Sequence, residues 1–497
     1  MTNNNNDTAA WASIEDVGAS AASVDAQVRV VLGRVMAQRR SIGTAFRYMA
    51  ALSRGTRANC WDLAEAAGYE GQHRMQALLC SYVWDWKDLR AELPGLAAAW
   101  LPDLERDLIG PGIAIDETAH LKHGDATACV APQHAGCTGK VENCVTTVFS
   151  ACVTANGQAW ADFDVYMPRR WADDLPRRRA AGIPDDLAFA TKPDLAIGQV
   201  QRLRAAGLAL MWAAFDEVYG RSGKLRKACR GAGLAYVAII PCDWQVTLPS
   251  GAVISAEDAV KDAVFERRSC GTGTKGPRFS DWAMTATSTP GEYLLIRRLI
   301  SRPDQYTFHL CWAPEDRPAT MTYFITIAGR RWPVEETFKT GKDVLGWDQS
   351  QIRTFDGICR HTALAALAQL RQIAIRNALT GVITLPAAPA GDSDGQPGDL
   401  HAGAGDAEIE DADLRIPLGD APVPARAGQR CPQHIGAIKL SVAETARLTA
   451  LARQYTAGLI GRARLAFALR WSARRRRHQA VARWHHHSAR LLDAAAT

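Results

Sequence analysis

The sequence predicts an α/β protein. A mixed-sheet core is interrupted by a mostly β insertion, preceded by a helical N-terminal domain and followed by a flexible linker and a basic C-terminal helix. Three observations predict this. Strand-like runs at 113–116, 143–155 and 159–166 precede an alternation of helical and strand-like segments up to Ile240, the pattern of a mixed sheet. From Pro241 to about Pro318, β-branched and aromatic runs dominate. Apolar residues recur at three- and four-residue intervals before Leu108 and again after Met321, as amphipathic helices require.

Taken in order, residues 1–25 are polar and small and read as a flexible N-terminal arm. Residues 26–108 read as a helical domain, with segments opening near Val28, Phe46, Trp61 and Met75 and punctuated by Gly55 and Gly68. Short helices joined by tight turns suit a helix-turn-helix DNA-binding module, or equally a plain helical domain. The character changes at Gly110-Pro111, and residues 109–240 form the first part of the core. There Cys144–Val153 is rich in β-branched residues, and Ala155-Asn156-Gly157-Gln158 turns the chain into the next strand. A helix at 193–206 leads to the strand that delivers Asp216, and a helix near 224–231 precedes a strand at 235–240.

Residues 241–318 are the β-rich insertion, and residues 319–385 return to helix, carrying the last helices of the core. Residues 386–432, rich in Gly, Ala, Pro and Asp, lack the apolar content to fold and read as an acidic disordered linker. Residues 433–497 form a basic helical tail, for which Ser441-Val442-Ala443-Glu444 is a capping-box start.

Composition narrows the function class. With 47% hydrophobic residues over 497 positions the chain can build large cores. No apolar run reaches the roughly 18 residues of a membrane span. The Asn-rich N-terminus has no secretory pattern, and 12 cysteines lack a framework spacing, so reduced thiols in a cytoplasmic protein are expected. Cys129, His134, Cys137 and Cys144 do not match the paired spacing of a zinc knuckle and read as structural thiols. The net charge of +6 is mild, but it is polarised. Asp392 to Asp413 is acidic, whereas Arg462, Arg464, Arg470, Arg474-Arg475-Arg476-Arg477, Arg483 and Arg490 make the tail basic, either to track a phosphate backbone or as a solvated face.

Three acids carry the chemistry. Asp116 ends the apolar run Gly112-Ile113-Ala114-Ile115, and Asp216 ends Leu210-Met211-Trp212-Ala213-Ala214-Phe215. A carboxylate at the tip of a buried strand is costly unless a cation or hydrogen bonds compensate it. Two such tips with a helical glutamate make an oxygen-rich site suited to Mg2+. That glutamate is Glu335, which shares a helical face with Arg331 and Lys342 in a cation–carboxylate–cation stripe. Pro333 places a helix start near Trp332, itself expected to pack into the core. Glu117, Glu217 and Glu336 adjoin the three acids but are expected to face elsewhere. His120, Lys122 and His123 belong to a DNA contact or a solvated loop, and Lys140 and Asn143 are candidates for phosphate.

The Arg331-x3-Glu335-x6-Lys342 spacing is similar to the Y-R-E-K signature of bacterial insertion-sequence transposases with a DDE triad. Ile115–Thr118, Gly139–Cys144, Thr191–Pro193 and Phe215–Gly220 resemble the same branch, across roughly residues 40–380. The signature's tyrosine position holds Ala328. The resemblance implies an RNase H-like core with a β insertion domain, in which Asp116, Asp216 and Glu335 hold two Mg2+ ions, with Mn2+ as a substitute. Arg331 and Lys342 would grip phosphates, with Lys122, Lys140 and Asn143 as further DNA contacts.

The implied activity is binding and cleavage of the ends of an insertion sequence, then transfer of the 3′ ends to double-stranded target DNA by two-metal chemistry. The implied setting is a homodimer in a synaptic complex within the bacterial cytoplasm, nucleoid-associated on DNA and away from membrane. Two alternatives share these residues: a transposase-derived DNA-binding regulator without catalysis, and a metal-dependent nuclease without strand transfer.

Overall fold

The computed structural model describes residues 11–55, 57–103, 109–273, 276–386, 415–419, 421–426, 428–433 and 435–495. The acidic stretch from Asp392 to Asp413, the expected linker up to residue 414 and the first ten residues of the expected arm lie outside these. The chain forms two compact units, one of residues 31–271 and 279–370, the other drawn from residues 1–30, 272–278 and 371–497.

The larger unit is built on a mixed sheet. Strands Gly112–Leu121, Lys140–Thr154 and Gly157–Val165 form an antiparallel meander, and Trp212–Phe215 and Ala235–Ile240 then run parallel to the first of them. This is a mixed sheet, as expected. The second strand carries Gly157–Val165 on its last part and the short strand Ala131–Ala135 on its first. The near-continuous apolar runs of Trp212–Phe215 and Ala235–Ile240 follow from burial on both faces of a parallel pair.

The insertion is β-rich, as expected, and it prolongs this sheet. Arg302–Trp312 pairs antiparallel with Ala235–Ile240, then Glu292–Leu299 and Gly276–Ala286 follow outward. A separate small core of Val246, Ala256, Leu294, Ile296 and Phe308 lies under its loops.

Helices close the unit. Lys192–Ala205 opens with a capping box in which Thr191 and Asp194 satisfy each other's backbone N–H. Met321–Arg331 and Pro333–Lys339 meet at Trp332, and a π-helical turn, Thr340–Val344, ends the second. An aromatic cluster sets that position: Phe149 stacks on Trp160 at 4.3 Å, and Phe338 and Trp347 pack around them. Gly341 lies so close to Trp160 that a Cβ would come within 2.1 Å of the ring, so only glycine lets the turn approach.

The N-terminal helices Arg39–Leu52, Cys60–Ala66, His73–Cys80 and Trp86–Trp100 belong to the same unit. Arg90 reaches across to Asp164 at 2.8 Å, while Arg202 holds both Asp162 and Asp164. Tyr48 meets the buried His361 of helix Phe355–Leu379 at 2.7 Å.

The smaller unit corrects three expectations. Within the expected disordered linker of residues 386–432, Arg415–Pro417 is a strand, and Ile416, Leu418 and Ala421 are buried. From Trp11 the expected arm is ordered: Trp11–Ser13 pairs with Arg415–Pro417, and Ile14–Val35 is a helix. Ile14, Val17, Ala21, Val24 and Val28 recur on one face and are buried, a helical period diluted by alanine and serine. The tail is two helices rather than one. Ser441 caps Val442–Thr456, and the final helix is Arg462–Ala495. Leu448, Leu465 and Leu469 join Ile14, Val17 and Ile416 in the core of this unit. Among the described residues, no helix is long and apolar enough to cross a membrane.

Candidate active site

Register explains why two acids from distant sequence positions meet. Ile115 pairs with Phe215 on adjacent parallel strands, so Asp116 and Asp216 are the next residues on each, near enough for the charge of Asp216 to act on Asp116. The second strand stops at Phe215, while the first runs on to Leu121 paired only with Lys140–Thr154. Asp116 is thus inside a long strand, not at its tip as expected, but it lies at the carboxyl end of the parallel pair, where ligands meet open α/β sheets.

Asp216 is the N-cap of the short helix Glu217–Gly220, its Oδ1 accepting from the N–H of Val218 at 3.0 Å and of Tyr219 at 3.4 Å. Burial pushes the Asp116 carboxyl up to about 7, helped by the neighbouring charge of Asp216. Burial, with the charge of Glu117, also raises Asp216.

Arg331 stands between the acids. Its Nη1 donates to Asp116 Oδ2 at 3.2 Å, and its Nη2 lies 3.6 Å from Glu335 Oε1. Glu335 is half exposed, so it completes the arrangement only through the guanidinium. Glu336 turns elsewhere, accepting from Gln158 Nε2 at 3.1 Å. Trp332 is exposed rather than packed, because Val334 and Phe338 take the buried positions past the junction of the two helices.

The remaining expected contacts fall into three groups. Lys342, in the π-helical turn, donates to the Ala119 carbonyl of the Asp116 strand at 3.2 Å, so the turn is tied to that strand. Lys122 donates to the Ser350 carbonyl at 2.5 Å, and burial lowers its ammonium to about 8. Asn143 donates to the carbonyls of Lys122 and Gly124, a role in holding that loop. Lys140 is exposed at the start of its strand, beside the hairpin turn. His120 is neither loop nor surface; it is buried against Trp347.

Glu117 was set aside on strand alternation, yet it belongs to the site. Lys192 Nζ lies 2.7 Å from its Oε1, and Tyr219 Oη donates to its Oε2 at 2.5 Å. Alternation still sends Asp116 and Glu117 to opposite faces, but the parallel neighbour ends at Phe215, and past that end the long Glu117 side chain meets Tyr219 and Lys192 of helices later in the chain. The tyrosine in Asp216-Glu217-Val218-Tyr219 and the lysine in Thr191-Lys192-Pro193 were the available signals.

The donor set fits a divalent cation in part. Two carboxylates buried side by side raise each other's proton affinity, which a bound cation relieves. Among the described residues, however, no three His, Cys, Asp or Glu side chains stand close enough together to hold a metal ion. Glu335 is the one turned away, towards Arg331. Of the cysteines read as structural thiols, Cys129 and Cys144 are buried, whereas Cys137 is exposed.

Two family matches cover this region. One, described as a DDE superfamily endonuclease, spans residues 33–264; the other, described as a transposase DDE domain, spans residues 199–370. The probable transposase for insertion sequence element IS701 of Microchaete diplosiphon is 29% identical over 182 residues, 36% of this chain and 44% of that relative. The match therefore spans less than half of that relative's length. Among solved structures, the piggyBac transposase synaptic complex with hairpin DNA aligns over 71% of this chain and 69% of that one, at 12% identity and a TM-score of 0.35. That score is too low to bear on the reading of the site.

Proposed function

We propose that this chain, which belongs to the DDE-type insertion-sequence transposases, binds the ends of its element, cleaves them and transfers the 3′ ends to target DNA. The observation that supports this best is the adjacency of Asp116 and Asp216 at the carboxyl end of the parallel strands, with Arg331 and Glu335 on helices that pack against those strands.

In this reading Asp116, Asp216 and Glu335 hold Mg2+, with Mn2+ accepted in its place. Held there, the ions would supply an activated oxygen nucleophile and charge stabilisation at the phosphodiester. The chain's own residues do the positioning. Val218 and Tyr219 fix the rotamer of Asp216 through their N–H groups, and Glu117 is pinned by Lys192 and Tyr219. Arg331 swings from Asp116 and Glu335 to a DNA phosphate, which frees Glu335 to join the other two acids. Lys342 joins Arg331 on the phosphates, with Lys122, Lys140 and Asn143 at the margin. The helices between Arg39 and Trp100 recognise the element ends, and two copies pair those ends in synapsis.

Strand transfer with paired donor ends in Mg2+ tests the proposal. Joined donor–target product is expected. Nicked donor without joining points to the nuclease, and bound but intact DNA points to the regulator.

A further inference from the structure

We propose that the exposed face of the helix Arg462–Ala495, in the smaller unit, is a second DNA-binding surface that grips the phosphate backbone of a duplex. Its partner class rests on the transposase reading, but the surface lies outside both family matches.

The arginine run of this helix divides by burial. Arg476 is buried and donates to the carbonyls of Pro417, Leu418 and Ile438, and burial lowers its guanidinium to about 10. Arg475 lies 3.5 Å from Glu444, which also accepts from Ser472. With Leu465, Leu469 and Trp484 buried on the same side, these contacts fix which face of the helix looks outward.

The outward face carries Phe467, Arg470, Trp471, Arg474, Arg477 and His478, all exposed. Their spacing of three and four residues makes one continuous stripe. Phe467 is 58% and Trp471 43% exposed, large apolar surface for a soluble helix. The two rings meet edge to face at 6.4 Å, and the Arg474 guanidinium lies over Trp471 at 5.3 Å.

No acid occurs on this helix before Asp493. Arg470, Arg474 and Arg477 span about 10 Å of helix axis. That is about three phosphate steps of one DNA strand. Arginines interleaved with two aromatics match the phosphates and sugars of a nucleic-acid backbone better than an acyl phase, which needs a broad apolar face opposite the charges, and the transposase reading supplies a duplex. Duplex DNA is therefore the occupant.

The test uses the full chain and a fluorescent 30-base-pair duplex of arbitrary sequence, with Kd measured across a salt series. Arg474→Ala with Arg477→Ala should lower the slope of log Kd against log salt by about 1.8, one 0.9 step per lost phosphate contact. Arg474→Lys with Arg477→Lys should restore the slope, with unfolding temperatures matching wild type in both. A wild-type slope in the alanine pair overturns the proposal while leaving the transposase reading intact. Absence of any wild-type affinity for duplex overturns both. Arginine-dependent binding to phosphatidylserine vesicles with no change on DNA overturns it in favour of a lipid surface.

Discussion

Arg331 Nη1 lies 3.2 Å from Asp116 Oδ2, so a cation of the chain stands against one of the two largely buried carboxylates at the carboxyl end of the parallel strands. Arg331→Met leaves Asp116 beside Asp216 without that charge. The metal-free variant should lose about 1–3 kcal/mol of stability, the cost of an uncompensated, largely buried carboxylate. Because Arg331 and a divalent cation serve the same acids, saturating Mg2+ should raise the unfolding temperature of the variant more than that of the wild type. Calorimetry with and without Mg2+ checks this, and an equal or smaller rise counts against the shared position.

Asp116→Asn, Asp216→Asn and Glu335→Gln each remove one negative donor while keeping shape. Each should reduce Mg2+-dependent cleavage of end DNA by several kcal/mol of barrier, on the order of a thousandfold. Binding of the same DNA should change little. Gel-based cleavage beside an anisotropy titration separates the two. Wild-type cleavage by any variant removes that residue from the set.

The acids themselves were legible, because an apolar run ending in Asp is a local pattern. Their adjacency was not. It depends on the register of Ile115 with Phe215, a pairing between residues 100 positions apart. Glu117 was hidden because alternation says which face a residue takes but not what that face meets, here Lys192 and Tyr219 from distant segments. The helix from Ile14 was masked by small residues that dilute its apolar period, and Trp332 by the assumption that a large ring in a helix is core. The β-rich insertion was readable as strands, but not as a prolongation of the core sheet, since edge pairing leaves no local signature.

Lys342 now holds the Ala119 carbonyl, so two roles can be separated. If it also meets a DNA phosphate, Lys342→Ala should lower the salt slope of end-DNA binding by about 0.9, the release of one condensed counterion. The lost backbone hydrogen bond alone would cost about 1 kcal/mol of stability and leave the slope as it was. Kd across a salt series, read beside a melting curve, decides between them.

His361 makes stability depend on pH for a reason unrelated to catalysis. Its Nδ1 faces Tyr48 Oη at 2.7 Å and its Nε2 faces the Trp347 carbonyl at 2.9 Å. The ring therefore donates from Nε2, accepts at Nδ1 and is neutral, and burial pushes its pKa down to about 4. In the unfolded chain the same group titrates near its ordinary value of about 6.5. As pH falls between these values the unfolded state takes up the proton first. Stability is thus unaffected above about 6.5 and declines by on the order of 3 kcal/mol as pH approaches 4. His361→Gln keeps a donor for Trp347 and an acceptor for Tyr48 but cannot titrate. Its denaturant midpoint should lie below that of the wild type at neutral pH, and the gap should shrink towards pH 4. A gap that stays constant across that range assigns the acid sensitivity to other groups.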